Sequence, residues 1–411
     1  GPGGGGRGAN RRLKPAVRAA CIIRPAHDFL RSYRFSLTPR RRIAWPFFQG
    51  FQGVRKVQLR RLVQSVLGAE RTERMFSVLV VHPELMAAAK VSRAVMAEAL
   101  NVVRFSDLVD RVPAASAYVD DCVRDGQKVF HDHGAVRTVV LSGMGALPSG
   151  EEALVRVLRP LGYRLNGVYP LERLKMTGRS YAQEDYPEDI AQFFVSELHV
   201  DRFSEAFAAA ALSVTKSSGD PLSPQARTVL ARFESDGEVD FESAAAALPA
   251  LAACFDRQHD IPSLTDYETL LAESAEMAWI ATEGNAFNHA TDRVADVDAL
   301  AAQQKALGRP MKDEVEVSST KRVRQTAYRA AQVEREFRDA DGNIVTRVVP
   351  GSFYEFITRL PMTDETGKTR LDLAFDSSNA QGIFKMTEAA TAAEAMQQNA
   401  ARMNQVMAAL R

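Results

Sequence analysis

The stretch from Val129 to Leu141, VFHDHGAVRTVVL, constrains this chain most, because it sets two imidazoles and a guanidinium into an otherwise apolar run. Gly134 and the β-branched Val136, Thr138, Val139 and Val140 predict a strand rather than a helix. Alternate side chains of a strand share a face, so His131, His133, Ala135 and Arg137 are expected to point the same way. At ~3.3 Å per residue, that face carries a candidate metal ligand and, about 13 Å further on, a fork for an anion. The bland alternative is a buried, satisfied histidine beside a surface arginine.

Other stretches must decide between these readings. The three cysteines, Cys21, Cys122 and Cys254, are far apart and form no CxxC pair, which argues against a disulfide framework and a thiolate zinc site. A reducing, cytoplasmic location is expected. No apolar run approaches the ~20 residues that span a bilayer, so no membrane partner is expected.

The formal net charge of +1 hides a segregation: residues 1–74 hold 17 Lys/Arg against 3 Asp/Glu, and the remainder 35 against 48. An acidic main body argues against nucleic acid as its partner. The basic, Gly-rich start is expected to be unfolded. It could serve as an organelle transit segment, which would move the protein from the cytoplasm, or bind an anionic surface. Because the first methionine is Met75 and a Gly-Pro start is also what tag cleavage leaves, residues 1–74 are expected to be a dispensable extension. Within it, VRKVQLRRLVQSVL has the apolar spacing of a basic amphipathic helix.

From Phe76 the pattern is that of a folded domain, with helices expected over about 84–101 and 114–127. After the histidine strand, Ser149 reads as a helix cap, followed by helix and strand. Residues 191–204, AQFFVSELHVDRFS, read as a strand carrying Glu197 and His199. Residues 203–282 are Ala-rich and helical in period, a helical insertion between two strand-rich blocks. Asp341-Gly342-Asn343 marks a turn, GSFYEFITRL a strand, and 389–411 a C-terminal helix. The expected class is α+β: two curved sheet modules with a helical insertion and flanking helices.

Glu355 sits among aromatics in GSFYEFITRL, where it either pairs with Arg359 or has a function, since a buried unpaired Glu is rare. His289, in AFNHATDRV, has polar neighbours able to hold its second nitrogen, as a metal-bound imidazole requires. Two imidazoles and one carboxylate are the set that non-haem Fe(II) enzymes use to leave open positions on the metal. Spacing alone does not choose among the histidines: His131 rivals His133, and His199 with Glu197 forms a rival pair.

The blocks HGAVR, FNHATDR, FYEFITR and SSNAQGIF, in this order, resemble the 2-oxoadipate dioxygenase/decarboxylase family over roughly residues 75–388. The resemblance implies a fold like that of the vicinal oxygen chelate proteins for a catalytic domain spanning 75–388. It implies Fe(II) as cofactor with His133, His289 and Glu355 as ligands, and Arg137 on the substrate carboxylate. It also implies Ser378 and Asn379 in a loop that ends in Gly382-Ile383-Phe384 and touches substrate. The implied reaction turns 2-oxoadipate and dioxygen into 2-hydroxyglutarate and carbon dioxide, a step of lysine breakdown. The partners are then a 2-oxo dicarboxylic acid and dioxygen; the oligomeric state is left open. Alternatives are another 2-oxo acid oxygenase, a glyoxalase-like isomerase on the same scaffold, or a non-enzymatic metal-binding protein. A structural zinc site is normally closed by four protein ligands, and here three are counted.

Overall fold

The computed structural model describes residues 57–376, and its organising element is an eight-stranded mixed sheet. The histidine stretch forms the strand His131–Val140 near its centre. In spatial order the strands are Tyr163–Leu171, Met176–Gln183, Gln192–His199, His131–Val140, Phe287–Arg293, Phe353–Arg359, Val323–Ala327 and Glu316–Val317. The two central strands run antiparallel to each other. Each has the last strand of its own half parallel beside it: Gln192–His199 beside the first, Phe353–Arg359 beside the second. The sheet is thus two four-strand modules meeting at one antiparallel seam, the expected α+β arrangement.

Alternation divides the core. Val136, Phe193, Val195, Phe287, Tyr354 and Phe356 pack with the helices Arg93–Arg111, Pro224–Asp236 and Phe241–Ala253. Their strand neighbours Ala135, Val139, Phe194 and Leu198 pack with Glu205–Thr215, Leu264–Glu273 and Ala275–Glu283. Successive residues of a strand point to opposite faces, so the helices between the modules are shared out to both faces.

Several local features depart from expectation. The helix expected over 84–101 is broken, and Ser92 starts a new one, Arg93–Arg111, by accepting from Val95 N at 3.2 Å. Ser149 does not cap a helix; it accepts from Leu141 N at 3.0 Å. Residues 316–338 divide between the main sheet and a separate hairpin, Gln332–Arg338 with Ile344–Pro350.

The larger correction concerns residues 57–74, which belong to the folded body. Helix Gln58–Leu67 buries Leu59, Leu62 and Val63 completely, and helix Ala69–Val78 follows. The basic residues here are used locally: Arg61 lies 3.7 Å over the Phe241 ring, and Arg71 and Arg74 pair with Asp110 and Asp120. Residues 1–56 and the tail expected to be helical over 389–411 lie outside the described residues. A chain starting at Met75 is therefore expected to lose the thermal transition shown by one starting at Val57. Leu62→Ala alone should cost about 2–5 kcal/mol, the range for truncating a buried leucine. Denaturant melts of the three proteins check this; a Met75 chain as stable as the longer one would refute it.

Candidate metal centre

The seam between the modules builds the site. Across it Ala135 faces His289 and His133 faces Thr291, while on the parallel side Phe353 lies beside His289 and Glu355 beside Thr291. This register brings His133, His289 and Glu355 together with one ligand atom each within 4.8 Å of one another. All three are buried, Glu355 at 0% exposure. The same cavity, about 450 Å³ of empty space including its mouth, is lined by Arg137, Phe194, Ser196, Asn288, Gln325 and Phe375, among others.

Each imidazole is held at Nδ1 by the side chain just before it. His133 Nδ1 lies 2.8 Å from Asp132 Oδ1, and His289 Nδ1 lies 3.2 Å from Asn288 Oδ1. With Nδ1–H donated to these oxygens, both Nε2 atoms keep a lone pair for a cation. Burial pushes both imidazoles toward their neutral form, most strongly His289, which also feels His133 and Arg137.

Glu355 is the residue whose surroundings most call for a cation. Its Oε1 accepts from Thr291 Oγ1 at 3.0 Å, and Oε2 has no hydrogen-bond partner among the described residues. Burial pushes its carboxyl up to about 8, against the Thr291 hydrogen bond. Thr291 Oγ1 is also 3.0 Å from His133 Nε2, yet its single proton can serve only one of the two. A divalent cation between the imidazoles and the carboxylate supplies the counter-charge and removes that competition, so the residues fit a metal.

Of the two alternatives for Glu355, the pair with Arg359 does not form. Arg359 instead grips Asp132, with Nη2–Oδ1 at 2.9 Å and Nε 3.0 Å from both oxygens. Arg137 is 2% exposed, with its guanidinium carbon 5.0 Å from the Trp279 ring. Burial lowers it to about 10, opposed by the charge of Glu276, which leaves it cationic at neutral pH.

The rival histidines are elsewhere. The register shifts between His131 and His133, a bulge that turns His131 to the face covered by helix Arg93–Arg111, against Phe105 at 4.9 Å and Phe287 at 6.3 Å. The expectation that both share a face with Arg137 fails at this bulge. His199 Nε2 meets Thr177 Oγ1 at 2.7 Å, and Glu197 accepts from Arg179 at 2.6 Å and Glu151 N at 2.9 Å. Ser378 and Asn379 lie outside the described residues. Sequence reasoning passed over Asp132, although it stands inside the histidine stretch, and Phe375, which stands in no regular element; it set Thr291 beside His289, whereas Thr291 meets His133 and Glu355.

Behind the sheet, His131 shares a small cavity with Glu98 and Asp189. Burial pushes the Glu98 carboxyl from 4.5 up to about 8, and the Asp189 charge adds to this. Glu98 is then neutral in the fold where it ionises in the unfolded chain. Its contribution is full below about pH 4.5 and is lost as pH rises toward about 8, at most about 1.4 kcal/mol per pH unit. Glu98→Gln cannot ionise and should lose less stability than wild type between pH 5 and 8. Urea midpoints of both proteins across that range check this; parallel curves would refute it.

Comparison with known proteins bears on the same region. A glyoxalase superfamily protein from Ralstonia eutropha JMP134 has a similar structure, with TM-score 0.74, 56% identity, and 78% of this chain and 98% of that chain covered. The hydroxyglutarate synthase of Oryza sativa, solved with 2-oxoadipate, is similar at TM-score 0.56 and 20% identity, covering 72% of this chain and 93% of the other, a likeness of fold. A 2-oxoadipate dioxygenase/decarboxylase of Mycobacterium bovis is 30% identical over 188 residues, 43% of this chain and 44% of that protein. The match thus spans less than half the length of that curated relative. The family model for 2-oxoadipate dioxygenase/decarboxylase matches residues 89–411, which include all three candidate ligands, and on that match the chain belongs to this family.

Proposed function

We propose that this protein is an Fe(II)-dependent dioxygenase that decarboxylates 2-oxoadipate, giving 2-hydroxyglutarate and carbon dioxide, a step of lysine breakdown. The observation that carries the reading is the buried His133–His289–Glu355 group facing a cavity that also contains a charged arginine. His133, His289 and Glu355 would hold the metal. When bound, iron supplies open positions at which the acid's carboxylate and keto oxygen meet dioxygen. Three protein ligands leave those positions free, whereas a structural zinc site is normally closed by four.

The chain's own residues bind, orient and shield. Arg137, on the His133 strand, holds the far carboxylate with two parallel charge-assisted hydrogen bonds. Phe194 and Phe375, with ring centroids 4.9 Å apart, line the cavity and exclude water. The oxo diacid plus dioxygen balances the hydroxy diacid one carbon shorter plus carbon dioxide, so no co-substrate is required.

The test is anaerobic loading with ferrous iron followed by oxygen-electrode measurement on adding 2-oxoadipate. Stoichiometric oxygen uptake with carbon dioxide release is expected. Metal uptake without oxygen consumption would favour a glyoxalase-like isomerase, and no uptake a non-enzymatic role.

A further inference from the structure

Arg359 has a role the reaction does not account for. Its side chain and that of Asp132 are 0% and 1% exposed, so the pair is cut off from water. One edge of the guanidinium holds Asp132, whose Oδ1 also holds His133 Nδ1 at 2.8 Å. Its remaining nitrogen, Nη1, donates to the carbonyls of Asp372 at 2.9 Å and Ala374 at 2.7 Å. Those carbonyls belong to the irregular segment 372–376, which carries Phe375 and Asp376 into the cavity wall. Phe375 fills the space between: its ring lies 4.9 Å from the guanidinium carbon and 4.8 Å from the His133 ring, edge to face.

We propose that Arg359 is a positioning residue that couples His133 to the closing segment 372–376, so that holding a metal at His133 and closing the cavity stabilise each other. The proposal rests on His133 holding a metal but not on which acid is turned over. A lysine, with three donors on one nitrogen, cannot reproduce a two-point grip on Asp132 together with bonds to two carbonyls, which the guanidinium makes from separate nitrogens in a fixed plane. Whatever the closed segment adds to the metal's affinity, the metal must add to the closure, since coupling is reciprocal.

The test uses the full chain, freed of metal, with Co(II) as the probe. Its visible bands report the dissociation constant, and hydrogen exchange by mass spectrometry reports peptides covering 372–376. In wild type, Co(II) is expected to slow exchange in 372–376. Arg359→Lys should bind Co(II) about tenfold or more weakly, the usual cost of disturbing a ligand's hydrogen-bond partner, and Co(II) should no longer slow exchange there. Asp132→Asn, which keeps an acceptor for His133 but not the charge Arg359 grips, should weaken Co(II) binding similarly. Unchanged exchange in wild type on adding Co(II), or Arg359→Lys binding Co(II) as wild type does, overturns the proposal. If Arg359→Lys fails to fold, the wild-type exchange result decides alone. A wild type that takes up no Co(II) ends the metal-site reading together with this one, whereas uptake with unchanged exchange ends only this one.

Discussion

Glu355→Gln is expected to yield a folded protein that no longer holds a divalent metal and no longer consumes oxygen. The amide nearly matches the carboxylate in shape and can still accept from Thr291, but it offers no negative charge to a hard cation. In the metal-free protein the substitution should be neutral or stabilising. It removes an ionisable group that burial, with the charges of Glu316 and Asp132, has pushed up to about 8 and whose second oxygen has no partner among the described residues. Metal loss by at least two orders of magnitude in affinity, with an unchanged circular dichroism spectrum, is the expected signature. His133→Ala and His289→Ala should lose metal as well. His131→Ala and His199→Ala should keep it, because their rings face Phe105 and Thr177 rather than the site. Metal retained by Glu355→Gln, or lost in His199→Ala, would reassign the ligands.

Arg137→Ala is expected to lower kcat/KM on 2-oxoadipate by about two orders of magnitude or more while metal content stays intact. Losing one partner of a desolvated charge pair costs ~2–5 kcal/mol, and each 1.4 kcal/mol is about tenfold. Arg137→Lys should be impaired too, since a point charge does not replace a bidentate fork. The discriminating substrate is 2-oxohexanoate, which lacks the far carboxylate: wild type should prefer the diacid strongly, and Arg137→Ala should lose that preference. Equal turnover of both acids by wild type would remove Arg137 from substrate reading.

What could be read from the chain was whatever strand alternation and short polar blocks encode. His133 and Arg137 both line one cavity, as a regular strand requires, and His289 carries its own hydrogen-bond partner next to it in sequence. Departures arise where geometry is irregular or contacts are distant. A one-residue bulge reversed His131, and no periodicity announces a bulge. Arg359 has a carboxylate four residues before it on its own strand, yet it binds Asp132, which is 227 positions away. Phe375 lies in an irregular segment where neither helical nor strand spacing applies. The early boundary at Met75 failed because a run of arginines hid the stripe Leu59, Leu62 and Val63 beneath it.

The repetition in the sheet has a consequence for coordination. In the second module, Glu355 stands two residues past Phe353, which pairs with the candidate ligand His289. In the first module, the residue two past Gln192, which pairs with the candidate ligand His133, is Phe194. Two such modules offer four equivalent places facing the cavity, and this chain fills three with candidate donors and the fourth with a phenyl ring. The site's asymmetry is therefore a subtraction: with a metal on the three donors, this one apolar side chain would keep the coordination sphere from closing, and reactivity there would depend on a residue that cannot bind the ion.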